Sequence, residues 1–299
     1  MKFWLSLVAV RETEQLPALA RCAEELGFHG LMVGDHLIWP ADIRTPYPYS
    51  PDGKIFVPPD TPWPDPWALF AHLGALTQRL HFASNIYLAA LRDPFTVAKS
   101  VATAAVLTQG RIVCGVSAGW LQEEYAAVGV DFAERGRRLD EILEVLRKLM
   151  SGQMVTHAGE FFRFAGIMRP VPAQPVPLWC GGGAAPAMRR AARNDGWLPL
   201  PMTVAQADTA IAALRIMRRD AGLPQEGLAV GLPLAEPVTP KAVAAVEELG
   251  VHDLVVIAPW LPSPWDATAW LEPGEDASDL RVKVRTLERY AEAVLRKVR

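Results

Sequence analysis

Eight short runs of apolar and β-branched residues recur along the chain: KFWLSLV, GLMVG, LHFASNIY, RIVCGVS, VPLWCGG, GWLPL, LAVGLPL and DLVVIAP. A longer stretch of helical period follows each of them. Nearly continuous apolar runs are what strands need when both faces are covered, as in a parallel sheet flanked by helices. Several helical stretches stop at a glycine (Gly27, Gly152, Gly222, Gly250), a residue that ends helices by taking left-handed backbone. Eight such units within 299 residues predict the α/β class. The expected form is a (β/α)8 TIM-like barrel in a single domain over 1–299. A doubly wound open sheet is the alternative, because strand number alone does not close a barrel.

Two segments break the rhythm. Residues 40–66, PADIRTPYPYSPDGKIFVPPDTPWPDP, follow the second strand and carry too many prolines for a helix interior or a central strand. They read as a lid over the C-terminal mouth. Residues 151–175, centred on HAGEFFRFAG, read as a hairpin insertion before strand 5.

Composition closes off several classes. A net charge of −3 and a pI near 6.1 leave no electrostatic footprint for nucleic acid. No apolar run reaches the roughly 18 residues of a membrane span. MKFWLSLVAV lacks a cleavage site and runs into a helix, so it reads as a first strand and not as a signal peptide. The 3 cysteines are far apart and form no CxxC pair, as expected of small buried hydrophobes in a reducing compartment. A cytoplasmic protein with neither membrane nor nucleic-acid partner is the expectation.

In a barrel of this kind the residues just past the strand ends face the site. They are Asp35 and His36, Asn85 and Ile86, Ser117 through Trp120, and Gly181 through Gly183. None of the lysines stands at a strand–loop junction, which argues against a Schiff-base enzyme. There is no HxH, HExxH or paired-acid cluster for a metal, and no GxSxG elbow. In WCGGGAAPAMRRAARNDGW, three glycines lie between a strand and a helix. Such a junction is either a tight turn or a place where bare backbone meets an anion at a helix N-terminus. Trp39, Trp63, Trp67, Trp120, Trp179 and Trp197 serve packing or a cofactor wall. One histidine, a glycine-rich cradle and many aromatics suit a planar phosphorylated cofactor better than protein-only catalysis. Asp35 also fits a turn cap and His36 a satisfied loop histidine, and Arg189 and Arg190 fit a solvated face as well as an anion site. Glu123 and Glu124 fit the acidic first turn of a helix. His29, His72, His81, His157 and His252 read as surface or core.

The order of these pieces resembles the bacterial luciferase-like family of flavin and deazaflavin oxidoreductases, and within it the coenzyme F420-dependent branch. The matching stretches are GFHGLMVGDHLIWP, YPYSPDGKIFVPPDTPWPDPW, TQRLHFASNIYLAALRDPFTVAKSVATAAVLTQGRIVCGVSAGWLQEE, GVDFAERGRRLDEILEVLRKL and QPVPLWCGGGAAPAMRRAARNDGWLP, collinear over roughly residues 20–200. The resemblance implies a TIM-like barrel with the cofactor ring in its mouth. It implies that His36 is the active-site histidine and also contacts the cofactor, with Asp35 beside it as a catalytic partner. A non-prolyl cis peptide at Asn85–Ile86 would back the ring. Gly119 and Trp120 would contact the cofactor chain, and Gly181, Gly182 and Gly183 its phosphate. Trp39 and Trp63 would face the substrate under the lid. In the family's sugar-phosphate dehydrogenases the position matching Trp120 is an acid, so tryptophan here implies an apolar or aromatic substrate. The expected activity is F420-dependent hydride transfer to or from a small organic molecule. The alternatives are an FMN-dependent monooxygenase served by a separate flavin reductase, and a non-catalytic barrel that binds a phosphorylated ligand. A homodimer is expected by analogy.

Overall fold

The computed structural model describes residues 1–50, 52–55, 57–261 and 270–298, so positions 51 and 56 of the lid insertion lie outside the described residues. The strands are β1 (Lys2–Ser6), β2 (Gly30–Val33), β3 (His81–Ser84), β4 (Ile112–Val116), β5 (Val155–Ala158), β6 (Arg163–Gly166), β7 (Leu178–Gly181), β8 (Gly196–Leu198), β9 (Ala229–Pro233) and β10 (Asp253–Ile257). All but β5 and β6 form a closed barrel in the order β1-β10-β9-β8-β7-β4-β3-β2. Closure is made by β1, whose Trp4 is level with Gly30 on one side and Val255 on the other. The barrel expectation holds, and the open sheet is excluded.

The helices are α1 (Leu16–Leu26), α2 (Pro66–Leu76), α3 (Pro94–Leu107), α4 (Gln122–Ala127), α5 (Arg135–Met150), α6 (Ala185–Ala192), α7 (Val204–Asp220), α8 (Pro240–Glu248) and α9 (Leu280–Ala293). Their starts follow local chemistry. Asp65 and Asp93 each stand before a proline, and each carboxylate accepts a backbone N–H of the first turn. Thr203 and Gln206 close a reciprocal capping box on α7. Gly27, at φ 89°, ends α1 in the left-handed conformation.

Two apolar clusters form. The larger joins helices to the outer faces of the strands. The smaller fills the barrel interior and takes Trp4, Met32, Ala83, Val113, Trp179, Leu198 and Val255 from successive strands. Two indoles in so narrow a space require missing side chains opposite them. A Cβ on Gly30 would lie 2.4 Å from the Trp4 ring, and one on Gly196 would lie 2.4 Å from Trp179. The expected hairpin is present as the antiparallel pair β5–β6. Glu141 on α5 fastens it by accepting the N–H groups of Phe161 and Phe162 and bonding His157 at 2.9 Å.

Gly30→Ala should lower unfolding free energy by about 1–3 kcal/mol, the usual cost of overpacking. The new methyl would also meet the His81 carbonyl at 2.7 Å, which a side-chain movement cannot relieve. Urea denaturation would show a lower midpoint at unchanged slope. Below β1 and β3, His29 stacks on His81 with centroids 4.4 Å apart. Burial, then His81, then Lys2, pull the His29 pKa from 6.5 down to about 3. The unfolded chain therefore binds a proton that the folded chain refuses between those values, and stability falls as pH drops through that window. His29→Phe keeps the stacked ring and should flatten this acid limb in melting curves taken from pH 7 to pH 4.

Candidate active site

The mouth is built where β2, β3, β4 and β7 end. After β2 come Gly34, Asp35 and His36, and the sequence expectation gave the last two a shared catalytic role. The structure separates them. Asp35 is buried, and its carboxylate makes a bidentate pair with Arg92 at 2.8 and 2.9 Å and accepts the Leu88 N–H at 3.0 Å. Burial pushes its pKa up, while Arg92 and the Leu88 N–H pull it back. With both oxygens engaged, Asp35 ties the end of β2 to the loop after β3. The loop it holds carries the expected cis peptide between Asn85 and Ile86.

His36 turns the other way. Its Nδ1 is 3.1 Å from Oε2 of Glu124, whose side chain is 1% exposed. The imidazole is ringed edge-on by Trp63, Trp39 and Trp120, with centroids 4.9, 5.1 and 6.3 Å away. Tyr47 from the lid packs on Trp120 at 5.0 Å, and burial pushes its hydroxyl up to about 12. Of the six tryptophans singled out by sequence, Trp39, Trp63 and Trp120 are gathered at His36. Trp67 is buried against Phe70 and Tyr87, Trp179 fills the barrel, and Trp197 is buried in the outer core.

The three glycines have three different jobs. A Cβ on Gly181 would strike Ile86 Cδ1 at 2.1 Å, so this glycine makes room for the cis-peptide loop. Gly182, at φ 112°, donates to the Leu198 carbonyl, and its own carbonyl accepts from the Trp197 indole. Gly183 is exposed with open space at its Cβ position, and it leads into α6, whose first turn has neither a side-chain cap nor an acidic residue. An anion placed at this junction would meet residues 183–185 and not the whole triplet. Arg190 is not part of it, because its guanidinium pairs with Asp140 at 2.6 Å. Gly119, at φ 70°, turns the chain after β4 and delivers Trp120 to the mouth.

Sequence reasoning missed Glu123 and Glu124 as site residues. They begin α4, as an acidic first turn would, but both carboxylates reach back to the loop after β2. Glu124 accepts the N–H groups of Leu37 and Ile38, and Glu123 those of Arg44 and Thr45 plus the Thr45 hydroxyl. The donors lower the Glu123 pKa despite the opposing effect of its slight burial. The available signal was the lid itself, a proline-rich stretch without regular structure whose remaining N–H groups need acceptors from elsewhere.

A closed parallel barrel with a histidine, a buried carboxylate and an aromatic ring of side chains at its C-terminal mouth defines a class of small-molecule enzyme. The family of luciferase-like monooxygenases matches residues 4–293, and the chain belongs to it. It is accordingly an oxidoreductase. A protein of Mycobacterium tuberculosis (strain ATCC 25618 / H37Rv), named only as uncharacterised, is 35% identical over 283 residues, covering 94% of each chain. The F420-dependent glucose-6-phosphate dehydrogenase of Nakamurella multipartita is 32% identical over 190 residues, 62% of this chain and 51% of that one. Among solved structures, a monooxygenase from Streptomyces bottropensis superposes over 100% of both chains with a TM-score of 0.72 at 20% identity, a likeness of fold.

Arg92→Met would leave the Asp35 carboxylate buried without its cation. A loss of about 3–5 kcal/mol in unfolding free energy is expected, read by chemical denaturation. Asp35→Asn should destabilise in the same assay without abolishing turnover, as befits a residue that supports the loop.

Proposed function

We propose that the chain is a coenzyme F420-dependent oxidoreductase acting on an apolar or aromatic organic substrate, with His36 moving the proton that accompanies hydride transfer. The observation that carries this reading is His36 itself, backed by a buried carboxylate and walled by three tryptophans. The residues present suit a flat, phosphorylated cofactor. Gly181 leaves the Ile86 side chain a place that any Cβ would close, giving a smooth wall at the mouth. Gly183 and the uncapped start of α6 offer backbone N–H groups to a phosphate. When bound, the deazaflavin supplies or receives the hydride. His36 gives or takes a proton at Nε2, the nitrogen turned away from Glu124. Trp39 and Trp63 exclude water, and Trp120 gives that wall no proton to exchange, which disfavours a sugar phosphate and favours a carbonyl or enone on an apolar frame.

The second reading, an FMN-dependent monooxygenase supplied by a separate flavin reductase, draws on the family description and on the likeness to the Streptomyces monooxygenase. Titration of the purified protein with F420 and FMN, oxidised and reduced, separates the two. Tight F420 and weak FMN binding is expected. Preference for reduced FMN, with oxygen consumed during turnover, would replace the first reading with the second, and binding of neither would leave a barrel for another phosphorylated ligand. His36→Asn should slow turnover by about 10²–10⁴-fold, the usual contribution of a general acid–base, while F420 affinity stays within a few-fold. Equal losses in both would make His36 a binding residue.

A further inference from the structure

An imidazole has two nitrogens, and the protein accounts for one of those on His36. Nδ1 faces Glu124 Oε2 at 3.1 Å, and among the described residues Nε2 has no hydrogen-bonding partner. The other oxygen of the same carboxylate accepts the Leu37 N–H at 2.5 Å and the Ile38 N–H at 3.3 Å. A carboxylate accepts and does not donate, so three donors converge on it, and the hydrogen of the neutral ring must sit on Nδ1. We propose that Glu124 is the positioning residue of the site: it holds His36 as the Nδ1–H tautomer, reserves the Nε2 lone pair for the substrate, and fastens residues 37–38 with the same group. In the oxidising direction, Nε2 takes the proton released as a substrate O–H bond breaks, and the imidazolium is held by Glu124. In the reducing direction, Nε2–H returns that proton to the substrate oxygen and leaves the neutral ring with its hydrogen on Nδ1.

The adjacent acid provides the contrast. Glu123 bonds the backbone of Arg44 and Thr45 and the Thr45 hydroxyl, with no contact to His36. It anchors the same loop further along and leaves the ring untouched.

This assignment gives the proton-handling role of the Proposed function its tautomer, and it rests on that reading for its catalytic meaning, though the tautomer itself can be measured without cofactor or substrate. In Glu124→Gln, one oxygen becomes an NH2. On the side of Leu37 and Ile38 that NH2 would confront two N–H donors, so the amide oxygen stays there and the NH2 faces His36. Nδ1 must then accept, and the ring hydrogen moves to Nε2.

Nitrogen-15 NMR of protein labelled at histidine reads this directly, with His36→Asn assigning the signal among the 6 histidines. The wild-type ring should show a protonated Nδ1 and an unprotonated Nε2, Glu124→Gln the reverse, and Glu123→Gln the wild-type pattern. Turnover of Glu124→Gln should fall about 10²–10⁴-fold, because a wrong tautomer disables a general base even when geometry is kept. A wild-type ring protonated on Nε2 would overturn the proposal without any variant. So would a folded Glu124→Gln protein, judged by near-UV circular dichroism, that keeps the Nδ1–H pattern. If the tautomers behave as expected but neither F420 nor FMN binds, the positioning role stands and the cofactor reading fails.

Discussion

The barrel depends on how its interior is filled. Trp4 and Trp179 meet edge to face at 5.8 Å, and Trp4 Nε1 donates to Asp253 at 2.9 Å, so one of the two interior indoles has its polar atom satisfied there. Glycines at 30, 196 and 231 open the strands just enough to admit the two indoles. The strands close around these indoles, and their C-terminal ends stand around the rim. His36, the Asn85–Ile86 peptide and the glycines at 181–183 stand at or just past those ends, so the packing of the floor sets where they meet.

Above that floor, the site is organised by carboxylates that hold backbone. Asp35 holds Leu88 beside the cis peptide, Glu124 holds residues 37 and 38, and Glu123 holds residues 44 and 45. Each accepts backbone N–H groups that lie outside any helix or strand ladder. The segment after β2 is rich in proline and carries no regular structure among its described residues, so its amide groups would otherwise depend on water. The order of the mouth is imposed from β2, β3 and α4 together and belongs to none of them alone.

Much of this was legible in the amino-acid sequence, because periodicity is a local property. The eight strands, the hairpin insertion within 151–175 and the place of His36 just past the second strand follow from spacing within a few residues. The cis peptide at Asn85 came from resemblance. The partners of charged groups were not legible. Glu124 meets His36 across a sequence separation of 88 residues, and an acid at the start of a helix looks the same whether it serves the helix or a distant loop. The pairing of Asp35 with Arg92, 57 residues away, was hidden for the same reason. The glycine triplet was read as one motif, but only the folded chain shows that Gly181 clears a side chain, Gly182 belongs to the barrel wall and Gly183 is open.

The two acids of α4 grip residues 37–45 almost wholly through main-chain N–H groups, with the Thr45 hydroxyl as the exception. A backbone amide is the same at every residue except proline. The side chains of Trp39, Tyr47 and Trp63 are thus not among the groups that α4 holds. On the function proposed above, substrate preference would drift by substitution along one loop, with His36 and its fastening to Glu124 left as they are.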